Sequence, residues 1–488
     1  MKKTKSKKIL PWSTKDVVLN VVTYVLNTIF ISLLFIGTIF LESVTGGTDF
    51  YAYFSNATNF LHFFILLILL VALMAMYFFF EDRDFLKNAV NSEMVFFIIE
   101  ISLIVCYVSG NYISLYVRPL ALATVLTLFL SDRRKAIFVN ILYCLLTFLF
   151  DSLGTTEMMI GEYPVLIMGF ASGMIAVFCM DNVYSRIKLL GMSLIITLPT
   201  VICIAMLVIN IPTVNTIEAL VSGACSGPIA VATFMVLLPV FEAMFTKVSS
   251  FKLSELTDHK AKLIRKLIQQ APGTFNHSIV VSNIAEACAI AINEDALLAR
   301  TCAYYHDIGK LRRPEFFKEN QADGFNPHDD LTPELSANII KSHTQDGYNL
   351  VLKNRLPKVI ADVCLEHHGT LPILYFYGKA QKFTDGEVDI AQYCYAGPKP
   401  RTKIAAIIMI ADGCEAAARS LQNRSRENVK KVVRNIVNER MEMGQFEECE
   451  ITLKELNIIV HTVVNNLTGI YHNRIEYPKV NLDGIDVQ

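Results

Sequence analysis

From residue 17 to residue 246 the apolar positions form long, nearly unbroken runs, and from 247 onward they recur at helical spacing among polar ones. Eight apolar runs stand out: 17–41, 59–80, 93–109, 112–130, 136–153, 164–181, 189–210 and 222–246. Most approach the roughly 20 residues that an α-helix needs to cross a bilayer. The first follows a basic start (Lys2, Lys3, Lys5, Lys7, Lys8). Its stretch from Val17 to Leu41 is too long for a secretory h-region and no small-residue cleavage site follows, so it reads as an uncleaved span.

Composition supports a membrane portion, with 53% hydrophobic and 18% charged residues. The loop charges then set an orientation. Arg83 and Lys87, the run Arg133-Arg134-Lys135, and Arg186 with Lys188 occupy every second loop. The alternate loops 42–58, 110–111, 154–163 and 211–221 hold no Lys or Arg. This alternation, with an even span count, expects both termini in the cytoplasm of a multi-pass protein of the cell membrane. A net charge of -1 gives no basic excess and argues against a nucleic-acid polymer as partner. The 11 cysteines form no C-x-x-C pair, which argues against a disulfide framework or thiolate zinc site. Arg118 lies within a span and reads as an interfacial arginine, snorkelling or paired inside the bundle, while His62 receives no role.

After Lys247 there is no run of alternating strands, so the remainder reads as all-α. Residues 250–270 form a basic amphipathic connection. Beyond it, polar residues occupy apolar helical faces. Val359, Ile360, Val363 and Cys364 lead to His367 and His368 before Gly369 stops the helix. Leu335 and Ile339 lead to His343, Leu298 and Cys302 to His306, and Ile404 and Ile408 to Asp412. His277 shares a face with Val280, Val281 and Ile284. Any one such group alone reads as a hydrogen-bonded core residue. Five histidines and two aspartates (His277, His306, Asp307, His343, His367, His368, Asp412) together read as a metal centre, because burying each unpaired would cost several kcal/mol. Imidazole and carboxylate without thiolate suit Fe, Mn or Zn. Seven ligands exceed what one open ion takes and suit two ions bridged by Asp307 beside His306, about 3.5–4 Å apart. Lys310, three residues after Asp307, is a candidate to pair with phosphate charge, and a solvated lysine beside Arg312 and Arg313 is an equal reading. His259, His328, His461 and His472 break these patterns.

At His306-Asp307-Ile308-Gly309-Lys310 the sequence resembles the HD hydrolase superfamily. More of the text is similar to the seven-transmembrane HD family, whose characterised members are cyclic-di-AMP phosphodiesterases. The similar stretches are residues 271–278, 303–307, 366–370, 397–401, 410–413 and 468–478. The resemblance implies His277, His306, Asp307 and Asp412 on one metal and Asp307, His343, His367 and His368 on the other. It also implies catalytic roles for Asp307 and Lys310, and hydrolysis of cyclic-di-AMP to pApA with two divalent ions, iron or manganese. The expected organisation is a cytoplasmic start (1–16), a polytopic transmembrane helix bundle (17–246), a connecting helix (247–270), an all-α HD-type metallohydrolase domain (271–480) and a tail (481–488). Family members often carry a large extracellular domain after the first span, and here that interval is only 42–58. Cyclic-di-GMP is disfavoured because His368 is followed by Gly369-Thr370-Leu371. A non-catalytic nucleotide-binding or relay module on a membrane receptor is the competing reading, and a homodimer is left open. Tyr304, Tyr305, Tyr375 and Tyr377 are offered as adenine stackers, with packing the plainer reading.

Overall fold

The computed structural model describes residues 13–470 apart from 47–49, 51–56, 155–161, 181–182, 184, 209–214, 322–325 and 384–386. The lysine-rich start, the tail 481–488, His472 and most of the 468–478 stretch lie outside the described residues. The chain divides into two compact units, residues 1–249 and 250–488. The described residues are helical, with one isolated bridge between Pro372 and Cys394.

In the first unit six helices are long and apolar enough to cross a membrane: Thr14–Val44, Phe60–Glu81, Ala89–Tyr112, Arg133–Leu153, Arg186–Met206 and Thr216–Phe245. Two shorter apolar segments, Leu115–Leu130 and Pro164–Met180, accompany them. Side chains such as Val18, Leu26, Leu33 and Leu61 stand exposed, as expected of helices whose outer face meets lipid rather than water. Polar contacts join the first helix to the third: Asn27 Nδ2 donates to Glu93 Oε2 at 2.8 Å, and Ser92 Oγ to Asn20 Oδ1 at 2.9 Å.

The apolar run 112–130 is helical chiefly in its second half. A 3-10 turn at Leu115–Val117 precedes an extended Arg118 (φ -50°, ψ 129°), and the helix resumes only at Leu122–Leu130. The reason is Pro119, which lacks an N–H and drives the residue before it out of helical geometry. The freed backbone is paired locally: Val117 N–H donates to Ser114 O, Leu120 N–H to Arg118 O and Leu122 N–H to Pro119 O. Irregular backbone of this kind persists in an apolar setting only when buried in protein and satisfied.

The second unit is a helical domain around one apolar core. Ile284, Cys302, Ile360, Ile407, Val433 and Val463 meet there, each at or below 1% exposure. Its helices begin at side-chain caps. Asp295 accepts from Leu298 N–H, Thr332 from Leu335 N–H and Thr402 from Ala405 N–H. These caps fix the starts of Ala296–Tyr305, Pro333–Lys353 and Lys403–Ser420, and so fix which turn of each helix carries its polar residue inward.

Candidate metal centre

Five helices deliver the inward-facing groups. His277 comes from Pro272–Ala291, His343 from Pro333–Lys353 and Asp412 from Lys403–Ser420. His306 and His367 sit at the C-caps of Ala296–Tyr305 and Lys358–Glu366, with Asp307 and His368 one residue beyond. Gly369, at φ +51°, then turns the chain away. Ligand atoms of His277, His306, Asp307 and Asp412 lie within 4.8 Å of one another, and so do those of Asp307, His343, His367 and His368. Asp307 belongs to both groups, with one carboxylate oxygen facing each. Its Oδ2 is 3.3 Å from His306 Nε2 and 3.7 Å from His277 Nε2. Its Oδ1 is 3.2 Å from His343 Nε2 and 3.6 Å from His367 Nε2. Asp412 stands 3.0 Å from His277 Nε2 and 3.8 Å from His368 Nδ1.

The hydrogen bonds fix the protons. His306 Nδ1 donates to Ala303 O at 2.7 Å, His343 Nδ1 to Ile340 O at 2.6 Å and His367 Nδ1 to Cys364 O at 2.9 Å. A carbonyl only accepts, so each Nδ1 carries a hydrogen, and in the neutral imidazole each Nε2 presents a lone pair. Lone pairs of His343 and His367 therefore face each other across 3.3 Å. Among the described residues, His306 Nε2 and Asp307 Oδ1 are buried without a hydrogen-bond partner. A cluster of acceptors turned on one another is repulsive unless a cation sits among them. Two ligand atoms each about 2.1 Å from one ion stand about 3.0–3.4 Å apart at ordinary angles. The observed separations therefore fit divalent metal.

Burial alone would raise the Asp307 carboxyl, but the Lys310 ammonium and then His306 outweigh it and hold it well below the usual carboxylate range. Burial would lower His306, yet Asp307 and Asp412 carry it up to about 10, so with no metal among them these carboxylates would draw a proton onto the His306 Nε2 that a metal would otherwise take. Burial, then His367, holds His368 well below its ordinary value. Lys310 Nζ lies 2.7 Å from Asp307 Oδ2 and 2.9 Å from Glu319 Oε1, so its charge is already engaged by two carboxylates.

Gly309 explains how Asp307 reaches His343. A Cβ at Gly309 would stand 1.9 Å from the His343 carbonyl oxygen and 2.5 Å from the Gly347 nitrogen, both backbone atoms. Gly309→Ala should cost at least about 1–3 kcal/mol through forced separation of these segments. Thermal melting of the full chain checks this, and an unchanged midpoint would show that the crossing widens freely.

Sequence reasoning missed Glu415, Glu319 and Tyr395. Glu415, 1% exposed, accepts a hydrogen bond from His277 Nδ1 at 2.5 Å and is held by Arg419 Nη2 at 2.6 Å. It leaves His277 Nε2 as a lone pair aimed at Asp412. The available signal was its position, three residues after Asp412 on one helix. Glu415→Gln should weaken metal binding about 10–100-fold, because an outer-shell carboxylate sets the imidazole's tautomer and basicity. Competition against a chelator measures it, and unaltered affinity would reduce Glu415 to a counter-charge for Arg419. Tyr395 rests against His368. Of the other histidines, His328 donates from Nε2 to Phe316 O, His259 packs edge-on to Phe275, and His461 is exposed. Tyr304 and Tyr305 are buried in the core, while Tyr375 is exposed and Tyr377 packs on Tyr393.

Comparison with known proteins gives the following. The family model described as "7TM receptor with intracellular HD hydrolase" matches residues 57–249, and that described as "HD domain" matches residues 274–417. The chain is 36% identical over 404 residues to "Cyclic-di-AMP phosphodiesterase PgpH" of Bacillus subtilis (strain 168), covering 82% of this chain and 56% of that protein. It is 46% identical over 241 residues to the protein of the same name from Listeria monocytogenes serotype 1/2a, covering 49% of this chain and 33% of that one. The chain thus spans a third to about half of the length of these relatives. The crystal structure of the L. monocytogenes PgpH HD domain in complex with cyclic-di-AMP is 48% identical, covers 44% of this chain and 99% of that one, and superposes with a TM-score of 0.42.

Proposed function

We propose that the chain, which matches the models for a 7TM receptor with intracellular HD hydrolase over 57–249 and for an HD domain over 274–417, is a membrane-anchored two-metal phosphodiesterase of that family that hydrolyses cyclic-di-AMP to pApA. The observation that carries this reading is the shared carboxylate of Asp307, with one oxygen toward His277 and His306 and the other toward His343 and His367. His277, His306, Asp307 and Asp412 would hold one ion, and Asp307, His343, His367 and His368 the second. Two such ions supply Lewis acidity toward a phosphoryl oxygen and water activation near neutral pH. Iron or manganese suits this imidazole and carboxylate set.

The chain's own residues do the rest. Asp307 fixes the spacing of the two halves. Lys310, braced by Glu319, keeps Asp307 ionised and oriented, and any phosphate contact it makes shares its charge with those two carboxylates. His306 and His367, both 0% exposed, keep bulk water off the inner side. In the net reaction a water oxygen bonds to phosphorus and the P–O3′ bond breaks. The 3′ oxygen leaves as a hydroxyl, which gives a linear product with a 5′ phosphate. We assign 17–246 as anchor, 247–270 as connection and 271–480 as catalytic domain. The loop charges support cytoplasmic termini, which would put the site where a soluble nucleotide meets it.

The deciding experiment loads the detergent-solubilised full chain with manganese or iron. It supplies cyclic-di-AMP, cyclic-di-GMP and dNTPs separately and resolves products by chromatography. Release of pApA from cyclic-di-AMP alone, abolished by chelator and restored by metal, is the expected result. A metal-loaded chain that binds cyclic-di-AMP and leaves it intact would establish the non-catalytic binding module instead.

A further inference from the structure

Among the described ligands the cluster is most open at His368 and Asp412. His306, Asp307, His343 and His367 are at or below 2% exposed. The His368 and Asp412 side chains retain 22% and 13% of their surface. A ligand therefore reaches the cluster across the His368–Asp412 face, and Tyr395 lies on that face. Its ring stacks on His368 with centroids 4.3 Å apart and planes 25° apart, and meets His343 edge-on at 6.0 Å. Its backbone is pinned, with Tyr395 N–H donating to Leu371 O at 3.0 Å. His343 and His368 both belong to the ligand group that shares Asp307, so the ring packs directly on that half of the cluster. The neighbouring tyrosines in this unit have their hydroxyls engaged: Tyr305 donates to Leu256 O at 2.8 Å and Tyr393 to Glu334 Oε1 at 2.6 Å. Among the described residues nothing hydrogen-bonds the Tyr395 hydroxyl. A phenol is protonated at neutral pH, so here a donor faces a site otherwise built of acceptors.

We propose that the Tyr395 hydroxyl donates a hydrogen bond to a phosphate oxygen of the substrate at the mouth of the metal cluster. The proposal rests on the phosphodiesterase reading and adds a substrate contact to it. One ring face is covered by His368, so the hydroxyl is the part of Tyr395 that the geometry offers to a charged ligand. The rival role is a mechanical one, the ring bracing His368.

Tyr395→Phe separates the two, because it keeps the ring and removes only the donor. In the metal-loaded full chain it should lower kcat/KM for cyclic-di-AMP about tenfold to a hundredfold. It should weaken the affinity for inorganic phosphate by a similar factor, with metal content and melting midpoint unchanged. Tyr395→Ala, which also removes the brace, should in addition release metal. A Tyr395→Phe chain within twofold of wild type in both turnover and phosphate affinity overturns the proposal and leaves the bracing role. The phosphate arm keeps the two claims apart. A wild-type chain that binds phosphate but leaves cyclic-di-AMP uncut removes the enzyme reading, and the Tyr395 contact then stands or falls on phosphate affinity alone. A metal-loaded wild type with no measurable phosphate affinity overturns both.

Discussion

Asp307→Asn is expected to empty both metal positions and lower turnover about a thousandfold or more, while the chain still folds. The asparagine keeps the shape of the carboxylate, so the core around it is not opened. What changes is charge and proton count. One of the two side-chain oxygens becomes an N–H₂ donor, and the site loses the carboxylate that both ligand groups share at 3.2–3.7 Å. Lys310 also loses its nearer counter-ion and keeps Glu319. Metal per chain, measured by elemental analysis on the purified full chain, is read beside turnover and melting. A variant that keeps two ions and near-normal rate would end the bridging role. A variant that keeps one ion would mean that the two groups bind independently.

The largest effect on stability is expected in the first unit. Arg118 is 6% exposed, and its Nη1 lies 2.8 and 2.6 Å from the two oxygens of Asp151. Its guanidinium lies against Gly110, where a Cβ would come within 2.2 Å of Nε. Asp151→Leu leaves that guanidinium buried beside an apolar side chain and should cost about 3–5 kcal/mol. Arg118→Leu combined with Asp151→Leu should recover most of the loss, because no uncompensated charge remains. Thermal melting in detergent compares the three chains. If the single and double variants melt alike, the pair is not what fastens the broken helix to Arg133–Gly154.

Periodicity explains what was legible in the sequence. His306, His343, His367 and Asp412 each continue an apolar helical face, so spacing alone turned them inward. The long apolar runs likewise announced a multi-pass membrane protein. Besides Glu319, three things escaped. Glu415 forms an i,i+4 pair with Arg419, the commonest look of a solvent-facing helix surface, and nothing in spacing says that it is buried. Tyr395 lies between Cys394 and the Gly397–Pro398 turn, where no period exists to assign a face. The break at Arg118 is written in Pro119, but hydropathy averaged over 112–130 hides a single residue.

His306, His343 and His367 are each steered by a carbonyl three residues back in their own helix. A helix supplies that carbonyl whatever its side chains are. These three ligands therefore draw their orientation from secondary structure and place almost no demand on the identity of other positions. His277 is steered by the side chains of Glu415 and Arg419, and His368 rests on the ring of Tyr395. In a saturation screen of this domain, the outer positions where substitution harms the centre should be few, and Glu415 and Arg419 should head them. A centre so wired can drift widely in sequence around its seven polar groups and still assemble, a form of mutational robustness inherited from the helix itself.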